Sequence, residues 1–362
     1  MKVLHLSITS DIGGGPEHVY QLISSFSNTF DFYIACPKNG IYFEKFQFLT
    51  RGQVTFLPYR RFKFKYLYLL YKYVKKNEIK ILHSHGKGGG LYANLIKLIL
   101  PVVIIHTPHG INQSRPHNFF YNFIDYINKK YLQKNDGIIY VSSSEFNYAQ
   151  KEKLWLNIPY VIIKNGTKKI DNLDLMNLKS KRRNELLRGR SNLIIMATRF
   201  DFQKNTLEFC LIAKKLPEFT FLIIGDGEQM KACVEYCKFN KVENVIFQGK
   251  VNSPLDYIAA SDLYLSTSKW EGLSMAILEA MSVGLPIIAS NVVGNKDVVE
   301  NGINGYLYDL GEIESAVKCI KLVFEKSTYE LFSINSRKIH SEKYSSYFMA
   351  SQTEKFYNFL TK

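Results

Sequence analysis

Several common features are scarce or missing, and each absence narrows the class. Five cysteines in 362 residues form an odd set with no disulfide framework. Cys233 and Cys237 stand four apart without a histidine-rich partner for zinc, so they read as buried thiols. No stretch supplies 18 uninterrupted apolar residues. The best attempt, 95–105, carries Lys97 and is cut by Pro101, which excludes a membrane-spanning helix. The opening 2–8 is too short and polar for a secretory signal and reads as a first buried strand, so a cytosolic location is expected. In that setting the sequons at Asn112 and Asn165 are coincidental. Acidic residues are sparse in the first half. Residues 1–178 hold 23 Lys/Arg against 11 Asp/Glu, net +12, whereas 179–362 hold 24 against 21, net +3. The first half is therefore expected to face something anionic. No RNA- or DNA-binding motif accompanies that charge, so nucleic acid is not the expected partner. At 46% hydrophobic and 22% charged, the chain is neither disordered nor collagen-like.

What remains is alternation. Short β-branched runs at 2–8, 32–36, 54–57, 81–83, 102–106, 137–141 and 160–163 are separated by amphipathic stretches such as 18–26, 66–76 and 118–130. A second series follows at 192–197, 220–224, 245–248, 263–265, 286–289 and 305–307. Strands alternating with helices predict an α/β fold with parallel sheets covered on both faces, here two Rossmann-like domains in succession. The charged stretch 179–190 has no strand signal and marks the junction. The expected domains are 1–178 and 179–345. Residues 346–362, with Phe348, Phe356, Phe359 and Leu360 near helical spacing, read as a closing helix that packs back on the first domain. Ligands of such sheets bind beyond the carboxyl ends of the strands, and two domains offer a cleft between them.

Three segments carry candidate chemistry. Asp11-Ile12-Gly13-Gly14-Gly15-Pro16 follows the first strand, where backbone N–H groups at a helix start suit an anion; glycine-rich turns are also common without a ligand. It is not the dinucleotide fingerprint, because His18 stands where the third glycine belongs. His83-Ser84-His85 and His106-Thr107-Pro108-His109 end two strands. No carboxylate or third ligand stands at a metal-binding spacing, so hydrogen bonding to a substrate is the better expectation. In 270–286, Glu271 and Glu279 lie eight residues apart, two turns of an expected helix. The N–H groups of Gly272, Leu273 and Ser274 at its start suit a diphosphate; a capped helix with one exposed glutamate is the plain alternative.

With Glu271 and Glu279 stand Gly284-Leu285-Pro286, Asn301-Gly302-Ile303-Asn304-Gly305, Arg199-Phe200-Asp201-Phe202-Gln203-Lys204-Asn205 and Gly225-Asp226-Gly227. Val141-Ser142-Ser143-Ser144, Lys164-Asn165-Gly166, Gly13–Gly15 and His109-Gly110 add to them. Together these closely resemble the retaining glycosyltransferases of group 1, with the GT-B fold, over nearly the whole chain. The resemblance implies transfer of a sugar from a nucleotide-diphosphate donor, UDP-linked by expectation, to an acceptor hydroxyl with retention. It implies that Glu279 binds the donor ribose, Glu271 the sugar hydroxyls, and Gly272–Ser274 the diphosphate, with Gly14, Gly15 and Gly225 also on the donor. It further implies that His109 sits near the sugar, and that Arg199 and Lys204 neutralise the departing phosphate without a metal or other cofactor. One departure is visible: Val293-Gly294-Asn295-Lys296-Asp297 replaces the family's Gly-Gly and Glu, which leaves the role of Asp297 open.

The segment 59–76 interleaves Tyr and Phe with cations including Arg60, Arg61, Lys63 and Lys65. It suits anionic headgroups or a lipid-linked acceptor, and equally a surface helix of solvated lysines. The expected partners are a nucleotide sugar, a lipid-linked or oligosaccharide acceptor, and the inner face of the cytoplasmic membrane. The composition, rich in Lys, Asn and Ile, fits bacterial surface-glycan assembly. A nucleotide-sugar epimerase would need no acceptor, and a non-enzymatic nucleotide- or glycan-binding module would not need Arg199 and Lys204.

Overall fold

A computed structural model describes residues 1–26, 29–110, 134–171, 174–177, 183–187 and 192–362. The helix expected at 118–130, the Asn112 sequon and most of the charged stretch 179–190 lie outside the described residues. The chain divides into two compact units, 1–166 with 346–362, and 167–345.

The first unit is built on seven parallel strands: β1 (Lys2–Ser7), β2 (Asp31–Cys36), β3 (Val54–Phe56), β4 (Ile81–His85), β5 (Val103–Thr107), β6 (Gly137–Tyr140) and β7 (Tyr160–Ile162), in the order β3-β2-β1-β4-β5-β6-β7. The second has six: β8 (Leu193–Ala197), β9 (Thr220–Ile224), β10 (Val245–Gly249), β11 (Leu263–Ser266), β12 (Ile287–Ser290) and β13 (Gly305–Tyr308), in the order β10-β9-β8-β11-β12-β13. Both place the first strand beside the fourth, so each sheet reverses direction at its centre. Loops after β1 and β4, and after β8 and β11, are thereby brought together at the carboxyl ends. The central strands are apolar on both faces because helices cover both, and Leu4, Leu6, Ile194 and Ile195 are wholly buried.

One boundary differs from expectation. The units divide at Gly166, not at residue 178. Directly after Gly166, Thr167 donates its backbone N–H to Tyr344 O and pairs its hydroxyl with His340 Nε2, both within the second unit. The charged stretch follows that crossing: Arg183 binds Asp262 at 2.8 Å inside the second unit. The closing helix Ser346–Leu360 belongs to the first unit. Its Phe356 and Leu360 lie so close to Gly137 that a β-carbon there would stand 2.5 Å from Leu360 Cδ1, so only glycine fits beneath the helix. No helix among the described residues is long and apolar enough to cross a membrane.

Candidate functional site

In the first unit, strand register assembles a group of imidazoles. β1 pairs His5 directly opposite His83 of β4, and the two-residue pleat sends His85 to the same face as His83. The His83 and His85 ring centroids are 4.3 Å apart. His109 follows β5 in a turn where it adopts φ +58°, a left-handed conformation costly for a residue with a β-carbon. His5 Nδ1 meets His85 Nε2 at 2.9 Å, and His85 Nδ1 meets His109 Nε2 at 2.9 Å. His18, on the helix Gly14–Ser24, bonds Asn165 Oδ1 through Nδ1 at 2.8 Å and sets its ring edge-on to His109. His83 is held by Tyr357 OH and Thr107 Oγ1. His106 departs from this face: it bonds Ser84 Oγ and packs against Trp155.

Burial holds these rings neutral. It lowers His5 to about 3 and His18 to about 4, and with neighbouring rings it lowers His85 and His109 well below the ordinary value. Two triplets, His5/His83/His85 and His18/His85/His109, have nitrogens close enough together for a cation. Sequence spacing does not show either triplet, because His5 and His18 come from a different strand and helix.

The His109 turn has a support that sequence reasoning passed over. Glu145 accepts the Gly110 N–H at 2.6 Å through one oxygen and the Val141 N–H at 3.0 Å through the other. Burial pushes its carboxyl up to about 7 despite those two donors. Ser142 caps the helix Ser143–Lys151 by accepting the Glu145 N–H, the S-x-x-E pattern of a capping box. That pattern was available in the sequence.

In the second unit, the loops after β8 and β11 are joined. Lys204 Nζ reaches Glu271 Oε1 at 2.5 Å, and Ser268 donates to the same oxygen at 2.7 Å. The Gln203 side-chain amide donates to Trp270 O at 2.9 Å, and its backbone carbonyl accepts the Lys269 N–H at 2.7 Å. Arg199 is turned to Asp201 at 3.0 Å and remains 41% exposed. Thus Lys204 and Glu271, 67 residues apart, form one ion pair, while Arg199 lies earlier on the same loop and pairs with Asp201. The N–H of Glu271 donates to Val293 O, and Gly294, with φ +86°, sits against Glu271 so tightly that a β-carbon would be 2.6 Å from it. Asp297 accepts Gly294 N–H through Oδ2. It therefore braces the loop beside Glu271.

Three expectations require correction. The helix bearing Glu279 is Met275–Ser282; Glu271 precedes it, as expected, but is buried in the loop, so the eight-residue spacing from Glu279 does not span two helical turns on one face. Gly272, Leu273 and Ser274 form the buried approach to that helix. The first-turn N–H groups without helical partners are those of Met275, Ala276 and Ile277. The first-domain helix begins at Gly14, not at His18, which places Gly14 and Gly15 in its first turn. Gly225 has a packing reason independent of any ligand: at φ +128° its β-carbon would lie 1.7 Å from Thr198 O. Glu271 and Glu279 nevertheless both act on Tyr264. After burial itself, the negative charges of Glu271 and then Glu279 help drive the Tyr264 phenol up.

Arg60, Arg61, Lys63 and Lys65 are exposed around the start of the helix Phe64–Lys76, with Phe64 and Tyr68 also largely exposed.

Two successive sheets with central reversals, a cation-bearing loop joined to a buried carboxylate, and a glycine-led helix with a histidine-bearing turn define a glycosyltransferase architecture. Residues 178–339 match the family described as Glycosyl transferases group 1, and residues 12–167 match Glycosyltransferase Family 4. Residues 178–339 thus form a group 1 glycosyltransferase domain, residues 12–167 a family 4 domain, and the chain has the GT-B fold. It is 29% identical over 290 residues, 75% of this chain and 73% of the relative, to the UDP-Gal:alpha-D-GlcNAc-diphosphoundecaprenol alpha-1,3-galactosyltransferase of Escherichia coli. It is 25% identical over 353 residues, 96% and 98% of the two chains, to the Escherichia coli O-antigen biosynthesis glycosyltransferase WbnH. Anabaena HepE, solved with UDP and glucose, shares the fold with a TM-score of 0.84 at 16% identity, over 99% of each chain.

Proposed function

We propose that this glycosyltransferase moves a hexose-type sugar from a UDP-sugar to a diphosphate-linked lipid acceptor in bacterial surface-glycan assembly, with retention and without a metal. The observation that carries the reading is the junction of Lys204 with Glu271 beside Arg199. The reading is supported by one cation, Lys204, against a buried carboxylate, with Arg199 on the same loop paired to Asp201. In the reaction the bond from the anomeric carbon to the diphosphate breaks and the acceptor oxygen bonds to that carbon. Lys204 and Arg199 stabilise the charge that develops on the departing phosphate oxygen, while Glu271 orients the sugar hydroxyls. Glu279 holds the ribose, and the amides ahead of and within the first turn of its helix receive the diphosphate. In the first unit, space is kept at Gly15, where an added β-carbon would meet nothing within 4 Å; the likeness to the group 1 family assigns His109 a contact with the transferred sugar.

The lipid-linked acceptor is supported by the kinship with a diphosphoundecaprenol-dependent galactosyltransferase. The exposed cations 60–65 with Phe64 and Tyr68 support attachment at an anionic membrane face. A panel of UDP-, GDP- and other nucleotide sugars, scored for nucleotide release with and without a polyprenyl-diphosphate acceptor, tests the reading. Acceptor-dependent release from a UDP-sugar that persists in EDTA supports it. Release that depends on added divalent metal overturns the metal-free chemistry, and an inverted anomeric configuration in the product overturns retention.

A further inference from the structure

The hydrogen-bonded row His5–His85–His109 contains a directional argument. A neutral imidazole has one N–H and one lone pair, so the two links His5 Nδ1···Nε2 His85 and His85 Nδ1···Nε2 His109 must run the same way. His5 and His85 are buried and His109 is half-buried, and all three rings are held neutral, chiefly by burial. The end of the row decides the direction. His5 Nε2 is buried and has no hydrogen-bond partner among the described residues. If the row ran from His109 toward His5, that atom would be a buried, unsatisfied N–H, which is rare in native proteins and costly. If it runs from His5 toward His109, the orphan is a bare lone pair, the less costly of the two.

We propose that His5 and His85 are positioning residues that fix His109 as the Nδ1–H tautomer, so that His109 offers a hydrogen-bond donor and not a lone pair to its ligand. His5 Nδ1–H donates to His85 Nε2, His85 Nδ1–H donates to His109 Nε2, and the proton of His109 is left on Nδ1. A donor there suits a sugar hydroxyl oxygen or a ring oxygen. The left-handed turn of His109 is held in place from two sides, by His85 through the ring and by Glu145 through the N–H of Gly110.

The inference rests on the reading that His109 contacts the transferred sugar, and the experiment separates the two. Selective ¹⁵N-histidine labelling with long-range proton–nitrogen correlation reads the tautomers of the full chain without substrate. The expected spectrum has His5, His85 and His109 protonated at Nδ1. His109 protonated at Nε2, or stoichiometric zinc in the purified protein that shifts His85 and His109 on removal, overturns the relay. His85→Phe keeps the ring volume and removes both links; kcat is expected to fall about 10–100-fold with the donor KM unchanged, as for loss of an orienting partner elsewhere. His85→Asn, which retains a donor near the Nδ1 position, is expected to recover most of that loss. A His85→Phe protein that melts normally and turns over normally, while His109→Ala is inactive, overturns the positioning role. Full activity in His109→Ala instead overturns the sugar contact and leaves the relay to the spectrum. If His85→Phe does not fold, His5→Phe and the wild-type spectrum still decide the direction.

Discussion

Mild acid should open the first unit before the second. His5, His18, His83, His85 and His106 are buried there and His109 is half-buried, and burial lowers each from its ordinary value of 6.5. For a depressed histidine, the unfolded chain binds the extra proton between 6.5 and the folded value. The stability these rings provide is therefore full above 6.5 and is lost as pH falls. Each ring costs somewhat under about 1 kcal/mol between pH 7 and pH 6, roughly 4 kcal/mol for the group. Glu145 works in the opposite sense. Its carboxyl is raised from 4.5 to about 7, so over that interval the folded state holds the extra proton. That returns about 1 kcal/mol over the same step. The net loss is about 3 kcal/mol by pH 6 and about 9 by pH 5, against a usual total stability of roughly 5–15 kcal/mol. Among the described residues of the second unit only His340 is comparable, lowered to about 4 by burial. Hydrogen exchange read by mass spectrometry, with labelling times scaled for intrinsic pH dependence, compares the units within one molecule. Peptides from 1–110 should lose protection between pH 7 and 5.5 while those from 192–345 retain it. Equal protection of both units at pH 5.5, or earlier opening of the second, would refute the assignment of these rings as buried and neutral.

Other expectations follow from the second unit and the basic segment. Glu279→Ala should weaken binding of the free nucleotide in calorimetry, and an unchanged affinity would remove its ribose role. Lys204→Ala should slow transfer on the order of 10²–10³-fold. It should also destabilise the second unit by about 3–5 kcal/mol, because Glu271 is left buried without its cation. Adding Glu271→Gln should restore much of the melting temperature but none of the rate; a double variant that regains turnover would contradict the catalytic part. Replacing Arg60, Arg61, Lys63 and Lys65 together by Ser should release the protein from anionic vesicles at low salt without altering nucleotide affinity. Wild-type protein that fails to co-sediment with those vesicles would defeat the membrane assignment.

The sheets are legible in the sequence because buried parallel strands leave unmistakable apolar runs, as at Leu193–Ala197 and Thr220–Ile224, which the structure reproduces to within a residue. The group 1 motifs are legible for a different reason: Arg199, Lys204 and Glu271 lie in the loops that follow β8 and β11, and Glu279 lies in the helix that comes next, so each keeps a fixed place along the chain. Contacts among them are not. The pairing of Lys204 with Glu271 depends on β8 lying beside β11, an adjacency set by topology and not by spacing. His5 is hidden in the same way, since a histidine in a buried strand has no visible partner until β4 is placed against it. Helix starts are displaced because neither Gly13 nor Ser274 caps through a side chain, so no capping signal marks them. The unit boundary is hidden because the crossing at Gly166 carries no change in charge, whereas the conspicuous charged stretch lies beyond it.

The most direct test of the account is mass spectrometry of a synthetic polyprenyl-diphosphate sugar incubated with the protein and a UDP-sugar in EDTA. Addition of one sugar residue to the lipid-linked acceptor by wild type, and its loss in Lys204→Ala, is the predicted result. An acceptor left unmodified while the donor is hydrolysed or converted to its epimer would contradict it.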